Sequence, residues 1–183
     1  MVGAYSGRRV VGGVMKEGEG NWDHYTTPEH VLERVRMVGP ILLDPCSNGA
    51  STVGARMSLN GAVLYDGLAT PWHDIDTYDG LSLVYVNPPY SRGQIGRWSK
   101  KIVDESMRGC EIIALVPSRT GSIWFQALLC ACDATCFVTP RIRSCNPPPG
   151  KSSASPRFDN AIMYFGRGRA RFASAFEIMG VVR

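Results

Sequence analysis

Short apolar runs alternate along the chain with longer segments in which apolar residues recur every three or four positions. The short runs fit buried parallel strands, and the periodic segments fit helices that pack on a sheet. The predicted strands are Ile41–Leu43, Ala62–Tyr65, Leu81–Val86, Ile112–Val116, Ala134–Val138 and Ala161–Phe165. The predicted helices are Pro28–Val38, Gln94–Met107 and Ser122–Ala131. The alternation predicts an α/β fold with a mainly parallel sheet and helices on both faces.

The first predicted helix carries both a start signal and a stop signal. Thr27 is the predicted N-cap, and Pro28 takes the first helical position, where a missing amide hydrogen costs nothing. Gly39 and Pro40 follow the last apolar residue of the periodic segment and end the helix. We therefore expect the Thr27 side chain to cap this helix.

The composition fits one domain of ordinary size. The chain has 183 residues, of which 44% are hydrophobic and 20% are charged, and this balance argues against a disordered protein. No apolar run reaches the roughly 18 to 20 residues of a membrane-spanning helix, so we expect a cytoplasmic protein without membrane contact. We expect residues 1–21 to form a flexible N-terminal extension and residues 22–183 to form a single domain. Within that domain, residues 144–157 are rich in proline and serine and are expected to form a long loop.

The six cysteines are expected to be reduced thiols, because they cluster late in the chain and no secretory signal precedes them. Cys130, Cys132 and Cys136 lack paired Cys-x-x-Cys spacing, and the histidines lie far away in sequence. Buried apolar cysteines are therefore favoured over a zinc site, and no metal is predicted.

The net charge of +4 is distributed unevenly. Residues 141–171 contain seven arginines and lysines against a single acid, Asp159, so the remainder of the chain carries a small negative charge. A basic segment on a nearly neutral body is typical of a surface that binds a polyanion, although arginines that are merely solvated would give the same count.

Polar residues follow three successive predicted strands, and these are Asp44, Asp66 and Asn87. In open α/β sheets, ligands bind beyond the carboxyl ends of the strands, so these side chains are expected to converge. The turn after Asp44 lacks the Gly-x-Gly-x-x-Gly pattern that wraps a pyrophosphate, which favours a nucleoside cofactor without phosphates. Asp66 lies at the spacing at which an acid meets ribose hydroxyls, although each aspartate could also be a turn residue.

The sequence Asn87-Pro88-Pro89-Tyr90 directly follows an apolar run. Two prolines stiffen the turn and remove two backbone donors, which leaves carbonyl groups free to face a ligand. The Asn87 side chain adds a further acceptor, and Tyr90 offers a flat ring on which a base can stack. The tetrapeptide therefore predicts a site that holds the NH₂ group of a planar ring; the alternative is a proline turn with a packing tyrosine.

These motifs and their order resemble the phage-type DNA N-6-adenine methyltransferases, the phage Dam family, which use S-adenosylmethionine. The resemblance extends from about Trp22 to Gly166, and its most family-specific part is the stretch Leu115-Val116-Pro117-Ser118-Arg119-Thr120 followed by Trp124-Phe125. It also includes Thr27-Pro28, Leu43-Asp44-Pro45-Cys46, Asp66-Gly67-Leu68 with Trp72, Val86-Asn87-Pro88-Pro89-Tyr90-Ser91, and Ala161–Phe165. The resemblance implies a Rossmann-like methyltransferase fold in which residues 22–183 are the catalytic domain.

The resemblance also implies roles for individual residues. The residues implied at the S-adenosylmethionine pocket are Thr27 and Pro28 near the methionine portion, Asp44, Pro45 and Cys46 along the pocket wall, Asp66 at the adenosine, and Asn87. Whether Asp66 meets the ribose or the adenine is left open, and so are the contacts of the first loop, whose glycines are reduced to Gly49. The implied catalytic residues are Asn87, Pro88, Pro89 and Tyr90, acting on the amine of an adenine that is flipped out of DNA.

DNA is the implied partner. The candidate DNA contacts are Tyr90, Ser91, Arg119, Arg141, Arg143 and Lys151. We expect no separate recognition domain within 183 residues, so the methylation is expected to be either site-specific through loops or a second subunit, or relaxed in its specificity. A phage-encoded enzyme would act in the host cytoplasm, in protection from restriction or in regulation. Two alternatives remain: an RNA or protein-glutamine methyltransferase, and a catalytically inactive nucleic-acid-binding relative.

Overall fold

The computed structural model describes residues 26–48, 51–59, 66–75, 82–91, 93–143 and 158–183. The predicted strand Ala62–Tyr65, the N-terminal extension 1–21, the loop 144–157 and Lys151 lie outside the described residues. All statements below concern the described residues.

Helices and strands follow one another in the predicted order. The helices are α1 (Glu29–Val38), α2 (Gln94–Met107), α3 (Ile123–Ala131) and α4 (Arg169–Phe176), the last followed by a 3-10 turn at Glu177–Met179. The strands are β1 (Ile41–Asp44), β2 (Met57–Ser58), β3 (Leu83–Val86), β4 (Glu111–Pro117), β5 (Ala134–Val138), β6 (Asn160–Phe165) and β7 (Gly180–Val182). The predicted helices and the predicted strands that fall within the described residues are confirmed with shifts of at most two residues at their ends. The sequence interpretation missed β2, α4 and β7.

The described strands form one seven-stranded sheet in the order β2-β1-β3-β4-β6-β5-β7. The pairs among β2, β1, β3 and β4 are parallel, whereas β6 runs antiparallel to both β4 and β5, and β7 runs antiparallel to β5. Strands β1 to β5 therefore point one way, and β6 and β7 point the other way. The mainly parallel α/β fold is confirmed. A consequence for the site is that the start of β6 lies at the same sheet edge as the ends of β1, β3 and β4.

Both faces of the sheet are covered by helices. Alternate strand residues such as Tyr85, Ile113 and Ile162 point into one core with α1 and α4. Their neighbours, such as Val84 and Ala114, point into a second core with α2 and α3. Because the strands are buried on both faces, their sequences are continuously apolar.

The start of α1 differs from the prediction by one residue. Pro28 itself occupies the N-cap position, with extended backbone angles of φ −64° and ψ 148°, and its carbonyl accepts from the amide of Val31 at 3.0 Å. The Thr27 hydroxyl caps nothing and lies 2.9 Å from the hydroxyl of Tyr85. The prediction that Thr27 is the N-cap was wrong because a buried partner distant in sequence holds its side chain.

A buried glutamate holds the segment 66–75 against α2. Glu105 is 1% exposed, and its carboxylate accepts from Lys101 Nζ at 2.6 Å and from the His73 backbone amide at 3.1 Å. The ring of His73 lies 2.7 Å from the same carboxylate. Burial alone raises the pKa of Glu105, but the hydrogen bonds from Lys101, His73 and the Trp72 backbone outweigh it and lower the pKa to about 2. These bonds fix the segment next to Trp72, whose ring stacks on Trp98.

Replacing Glu105 with glutamine is expected to lower the free energy of unfolding by about 2 kcal/mol at pH 7. The reason is that Lys101 and His73 lose the carboxylate to which both are hydrogen-bonded. Since the folded pKa is lowered from 4.5 to about 2, this stabilisation is complete above pH 4.5 and is lost as the pH falls toward 2. Urea unfolding of both proteins between pH 2 and pH 7 measures the difference. Equal stabilities at pH 7, or a gap that widens in acid, would contradict the role of Glu105.

No helix in the described part of the chain is long and apolar enough to cross a membrane. The five cysteines among the described residues are free thiols, as expected for that part of the sequence.

Candidate active site

A cavity of about 480 Å³ opens at the carboxyl ends of β1, β3 and β4. This volume lies within the range of ordinary small-molecule sites. The cavity brings together ten residues that the sequence singled out, namely Thr27, Asp44, Pro45, Cys46, Asp66, Asn87, Pro88, Pro89, Tyr90 and Ser91. Asp44 at the end of β1 and Asn87 after β3 therefore converge as expected, and Asp66 lines the same cavity.

The other predicted site residues lie outside this lining. Pro28 begins α1 and does not line the cavity. Arg141 and Arg143 are exposed and flank Ile142, which does line it. Arg141 forms an ion pair with Asp159 at 2.5 Å, and Arg119 lies 4.7 Å from the ring of Phe158. Arg141 and Arg143 therefore lie beside the cavity wall, and Arg119 does not line the cavity.

Asp44 is a buried acid at the end of β1, with 3% of its surface exposed. Its two carboxylate oxygens accept from the Cys46 amide at 3.1 Å and from the Ser51 hydroxyl at 2.9 Å. Burial raises the pKa of Asp44 to about 6, and the two hydrogen bonds only partly oppose this rise. No lysine or arginine in the described ranges pairs with it. The site therefore presents a desolvated negative charge to any cationic group that enters.

The Asn87 side chain is held by hydrogen bonds at both ends of its amide. Its Nδ2 donates to the Thr27 hydroxyl at 3.2 Å, and its Oδ1 accepts from the Tyr90 hydroxyl at 2.9 Å. Thr27 is in turn fixed by the buried Tyr85 hydroxyl. An amide oxygen has two lone pairs, so Oδ1 can accept one more hydrogen bond from a ligand. The network sets the direction in which Asn87 offers that acceptor.

Tyr90 is half-buried, and its hydroxyl also lies 3.3 Å from the Leu115 carbonyl oxygen. Burial raises the pKa of Tyr90 well above its ordinary value, and the neighbouring Cys46 raises it further. The phenol therefore remains neutral and can donate to Asn87. The Pro88 and Pro89 carbonyls accept no hydrogen bond from another described residue.

Cys46 lies beside these groups but is not a nucleophile. Burial raises the pKa of its thiol well above the ordinary value, and the Asp44 carboxylate raises it further. A thiol becomes reactive only as a thiolate, so Cys46 contributes packing to the cavity wall.

Asp66 lies at the exposed rim of the cavity. One of its carboxylate oxygens accepts from the Leu68 amide at 2.8 Å. Asp66 is therefore a turn residue, which was the alternative to a ribose contact in the sequence analysis. The next residue must be glycine, because a Cβ on Gly67 would lie 2.0 Å from the Pro45 carbonyl oxygen. This close approach brings the segment 66–68 against the loop that follows β1. The indole of Trp72 donates to the Gly67 carbonyl at 2.8 Å and secures the contact.

Fifteen further lining residues had no site role assigned from the sequence, although Gly67, Leu68 and Leu115 lie within the motifs of the family resemblance. They are Thr26, Ser47, Asn48, Ser51, Thr52, Val53, Leu59, Gly67, Leu68, Gln94, Arg97, Trp98, Leu115, Ile142 and Asn160. Ser51 had a weak signal, since it follows Asp44 within one loop. Asn160 had none, because it begins its strand instead of following one.

The described arginines of the basic segment 141–171 lie at opposite ends of the sheet strands. Arg141 and Arg143 stand near the cavity, whereas Arg167 and Arg169 line a groove that also contains Glu111, the first residue of β4. Arg171 pairs with Glu111 at 2.9 Å. Glu111 begins β4 and the cavity lies where β4 ends, so the arginines after β6 lie at the opposite end of the strands from Arg143.

Comparison with known protein families identifies the family of the chain. The sequence matches the model of the family described as DNA N-6-adenine-methyltransferase (Dam) over residues 16–177, which is well over half of the chain. No curated protein and no solved structure matches the chain. The match includes every described residue that lines the cavity. The chain therefore belongs to the DNA N-6-adenine-methyltransferase (Dam) family.

Proposed function

We propose that the protein transfers the methyl group of S-adenosylmethionine to the exocyclic amine of an adenine flipped out of DNA. The observation that carries this proposal is that one cavity contains both the buried acid Asp44 and the turn Asn87-Pro88-Pro89-Tyr90. We call this turn the Asn87–Tyr90 corner. The Asp44 carboxylate can pair with a positively charged cofactor. The oxygen acceptors of the corner can bind the hydrogens of an amino group. Family membership supports DNA adenine as the acceptor.

The residues present fit this cofactor. Asp44 would hold the ammonium group of its methionine portion through a charge-assisted hydrogen bond. Asp66 has a second carboxylate oxygen for donors on the adenosine, and Leu59, Leu68 and Trp98 supply apolar walls. When bound, S-adenosylmethionine supplies a methyl group that is already activated on a sulfonium centre.

The amine is the weaker partner, since its lone pair is delocalised into the adenine ring. The free lone pair of Asn87 Oδ1 and a carbonyl of Pro88 or Pro89 would accept its two hydrogens and draw them out of the ring plane. Positive charge that develops on the nitrogen is then met by dipoles already in position, and electrostatic stabilisation of this kind often contributes most to catalysis. The surplus proton leaves to water after the transfer. Tyr90 keeps Asn87 oriented, and its ring offers a stacking surface for the flipped base.

The direct test is incubation of the protein with S-adenosylmethionine and DNA, RNA or protein in parallel, followed by digestion and mass spectrometry. N6-methyladenine in the DNA arm is expected. Methyl groups that appear in RNA or on glutamine alone would change the substrate class. Calorimetric binding of DNA without any binding of S-adenosylmethionine would instead indicate an inactive nucleic-acid-binding relative.

Arg143 is expected to contact a DNA phosphate, since it is exposed at the cavity rim. Replacing Arg143 with alanine should reduce the slope of log K for DNA binding against log salt concentration by about 1. The loss of DNA affinity should be similar for all DNA sequences. The matched control is Arg169→Ala, because Arg169 is equally exposed but lies in the groove at the opposite sheet edge. Salt titrations of DNA binding measure both variants. An unchanged slope in Arg143→Ala, or a larger reduction in Arg169→Ala, would show that the cavity edge is not the DNA-binding side.

A further inference from the structure

Asn160 is a buried polar residue that the proposed function leaves without a task. It is the first residue of β6, it is 8% exposed, and it lines the cavity. Its side chain makes no hydrogen bond within the described part of the chain. A buried amide without partners is costly, so such a group in a cavity wall points to a ligand that completes its hydrogen bonds.

The amide of Asn160 is in contact with the cavity space. Among the described residues, no side-chain nitrogen or oxygen is both sealed from solvent and without a hydrogen-bond partner. The unpartnered amide of Asn160 therefore reaches solvent, and the opening on which it borders is the cavity. The side chain is available to a bound molecule.

The position of Asn160 identifies which part of a ligand it meets. Asn160 pairs with Pro117 at the end of β4, and the sheet order places β4 between β3 and β6. Asp44 ends β1, on the far side of β3. The Asn87–Tyr90 corner thus separates an acidic end of the cavity from an end that Asn160 borders. If the cofactor occupies the acidic end, the acceptor must approach the corner from the side of Asn160.

The span between the corner and Asn160 suits a purine. Neighbouring strands lie about 4.8 Å apart, so β3 and β6, with β4 between them, are separated by roughly 10 Å. Tyr90 reaches across to the Leu115 carbonyl on β4, which places its ring beside this gap. A base held at its amine by Asn87 would extend over the end of β4 toward Asn160.

We propose that Asn160 recognises the target adenine by donating a hydrogen bond from Nδ2 to N1 or N7, the two ring nitrogens that flank the amino group. With both amine hydrogens bound at the Asn87–Tyr90 corner, the ring nitrogens are the acceptors left on this side of the base, and an asparagine NH₂ group is a known donor to such an acceptor. This inference rests on the proposed function. Asn160 is thereby a determinant of acceptor binding, and it takes no part in holding the cofactor.

The test combines protein variants with altered bases. Mixed-sequence DNA is prepared with adenine, 7-deazaadenine or 1-deazaadenine, so that one ring nitrogen is removed at a time. With adenine, Asn160→Ala is expected to lower kcat/KM roughly 10-fold or more, and Asn160→Asp, which keeps the shape but loses the donor, should do the same. Calorimetric affinity for S-adenosylmethionine should be unchanged in both variants. Gln126→Ala is the matched control, since it removes an amide that bonds to the Thr120 carbonyl outside the cavity.

The decisive result is the coupling between base and side chain. One analogue should reduce kcat/KM in the parent protein and have little further effect in Asn160→Ala, and that analogue identifies the nitrogen contacted. The inference is overturned if each analogue lowers kcat/KM by the same factor in the parent protein and in Asn160→Ala. It is also overturned if the folded Asn160 variants keep full activity with adenine. Absence of DNA methylation by the parent protein would instead remove the proposed function, so the two failures are distinguishable.

Discussion

Replacing Asn87 with alanine is expected to lower the rate of methyl transfer by roughly 100- to 1,000-fold, the usual cost of removing one prepositioned polar group from a reacting centre. The substitution removes the oxygen that would accept from the amine. It also frees the hydroxyls of Thr27 and Tyr90, which now bond to the two ends of the amide. Cofactor binding should remain largely intact, because Asp44 belongs to another strand and keeps its own hydrogen bonds.

Asn87→Asp provides the matched comparison. Aspartate keeps an oxygen for Tyr90 and for the amine, and the Thr27 hydroxyl can donate to its second oxygen, so more activity should survive than in the alanine variant. Mass spectrometry of N6-methyladenine measures the rates, and calorimetry with S-adenosylmethionine measures the cofactor affinity. Full activity in Asn87→Ala would refute the assigned role, and loss of cofactor binding in a folded variant would move Asn87 from acceptor to cofactor recognition.

The parts of the fold that could be predicted are those fixed by local periodicity. Helix α2 and strand β5 have the predicted bounds, because amphipathic spacing and a short apolar run determine them without distant contacts. Convergence of Asp44 and Asn87 was predictable for a different reason. Parallel strands end at one edge, so residues that follow successive strands meet there.

The elements that were missed depend on tertiary contacts. Strand β2 has two residues and pairs with β1, and β7 has three residues and pairs with β5, so neither shows an alternating pattern. Helix α4 has a buried face of Phe172, Ala175 and Phe176, but it spans only eight residues, which is too short for its apolar spacing to identify a helix among arginines.

The contacts of Thr27 and Asn160 could not be predicted from the sequence either, because they also depend on residues distant in sequence. Thr27 and Tyr85 are 58 positions apart, so nothing local indicates that their hydroxyls meet. Asn160 enters the cavity because β6 runs against β4, and strand direction cannot be read from apolar residues alone. A sequence can therefore identify the residues that end parallel strands, whereas the residue that begins a reversed strand needs the structure.

Replacing Asp44 with asparagine is expected to have two large effects of opposite sign that share one cause. Burial raises the pKa of Asp44 from 3.8 to about 6 in the folded chain. The ionised form is thus less favourable in the folded protein than in the unfolded one, and stability without ligand is lost as the pH rises from about 4 to about 6. A shift of this size corresponds to about 3 kcal/mol, so Asp44→Asn should raise the free energy of unfolding by about 2 to 3 kcal/mol at pH 7.5.

The hydrogen bonds of Asp44 can survive this exchange. The asparagine oxygen can accept from the Cys46 amide, and its NH₂ group can donate to the Ser51 hydroxyl oxygen, which now lies 2.9 Å from the carboxylate. Urea unfolding at several pH values should therefore show a gap between the two proteins that opens between pH 4 and pH 6. A variant that is less stable than the parent at pH 7.5 would contradict the cost assigned to the buried charge.

Cofactor affinity should change in the opposite direction, because the ammonium group of S-adenosylmethionine loses its anionic partner. Removing a charge-assisted hydrogen bond costs about 1.5 to 3 kcal/mol, so calorimetry should show roughly 10- to 100-fold weaker binding in Asp44→Asn at pH 7.5. In the parent protein, affinity should decline as the pH falls through about 6 and Asp44 takes up its proton. The variant has no carboxylate at this position and should show no such decline. A chain that gains stability and loses its cofactor by the same substitution would show that the fold maintains an unfavourable charge at this position for the sake of binding.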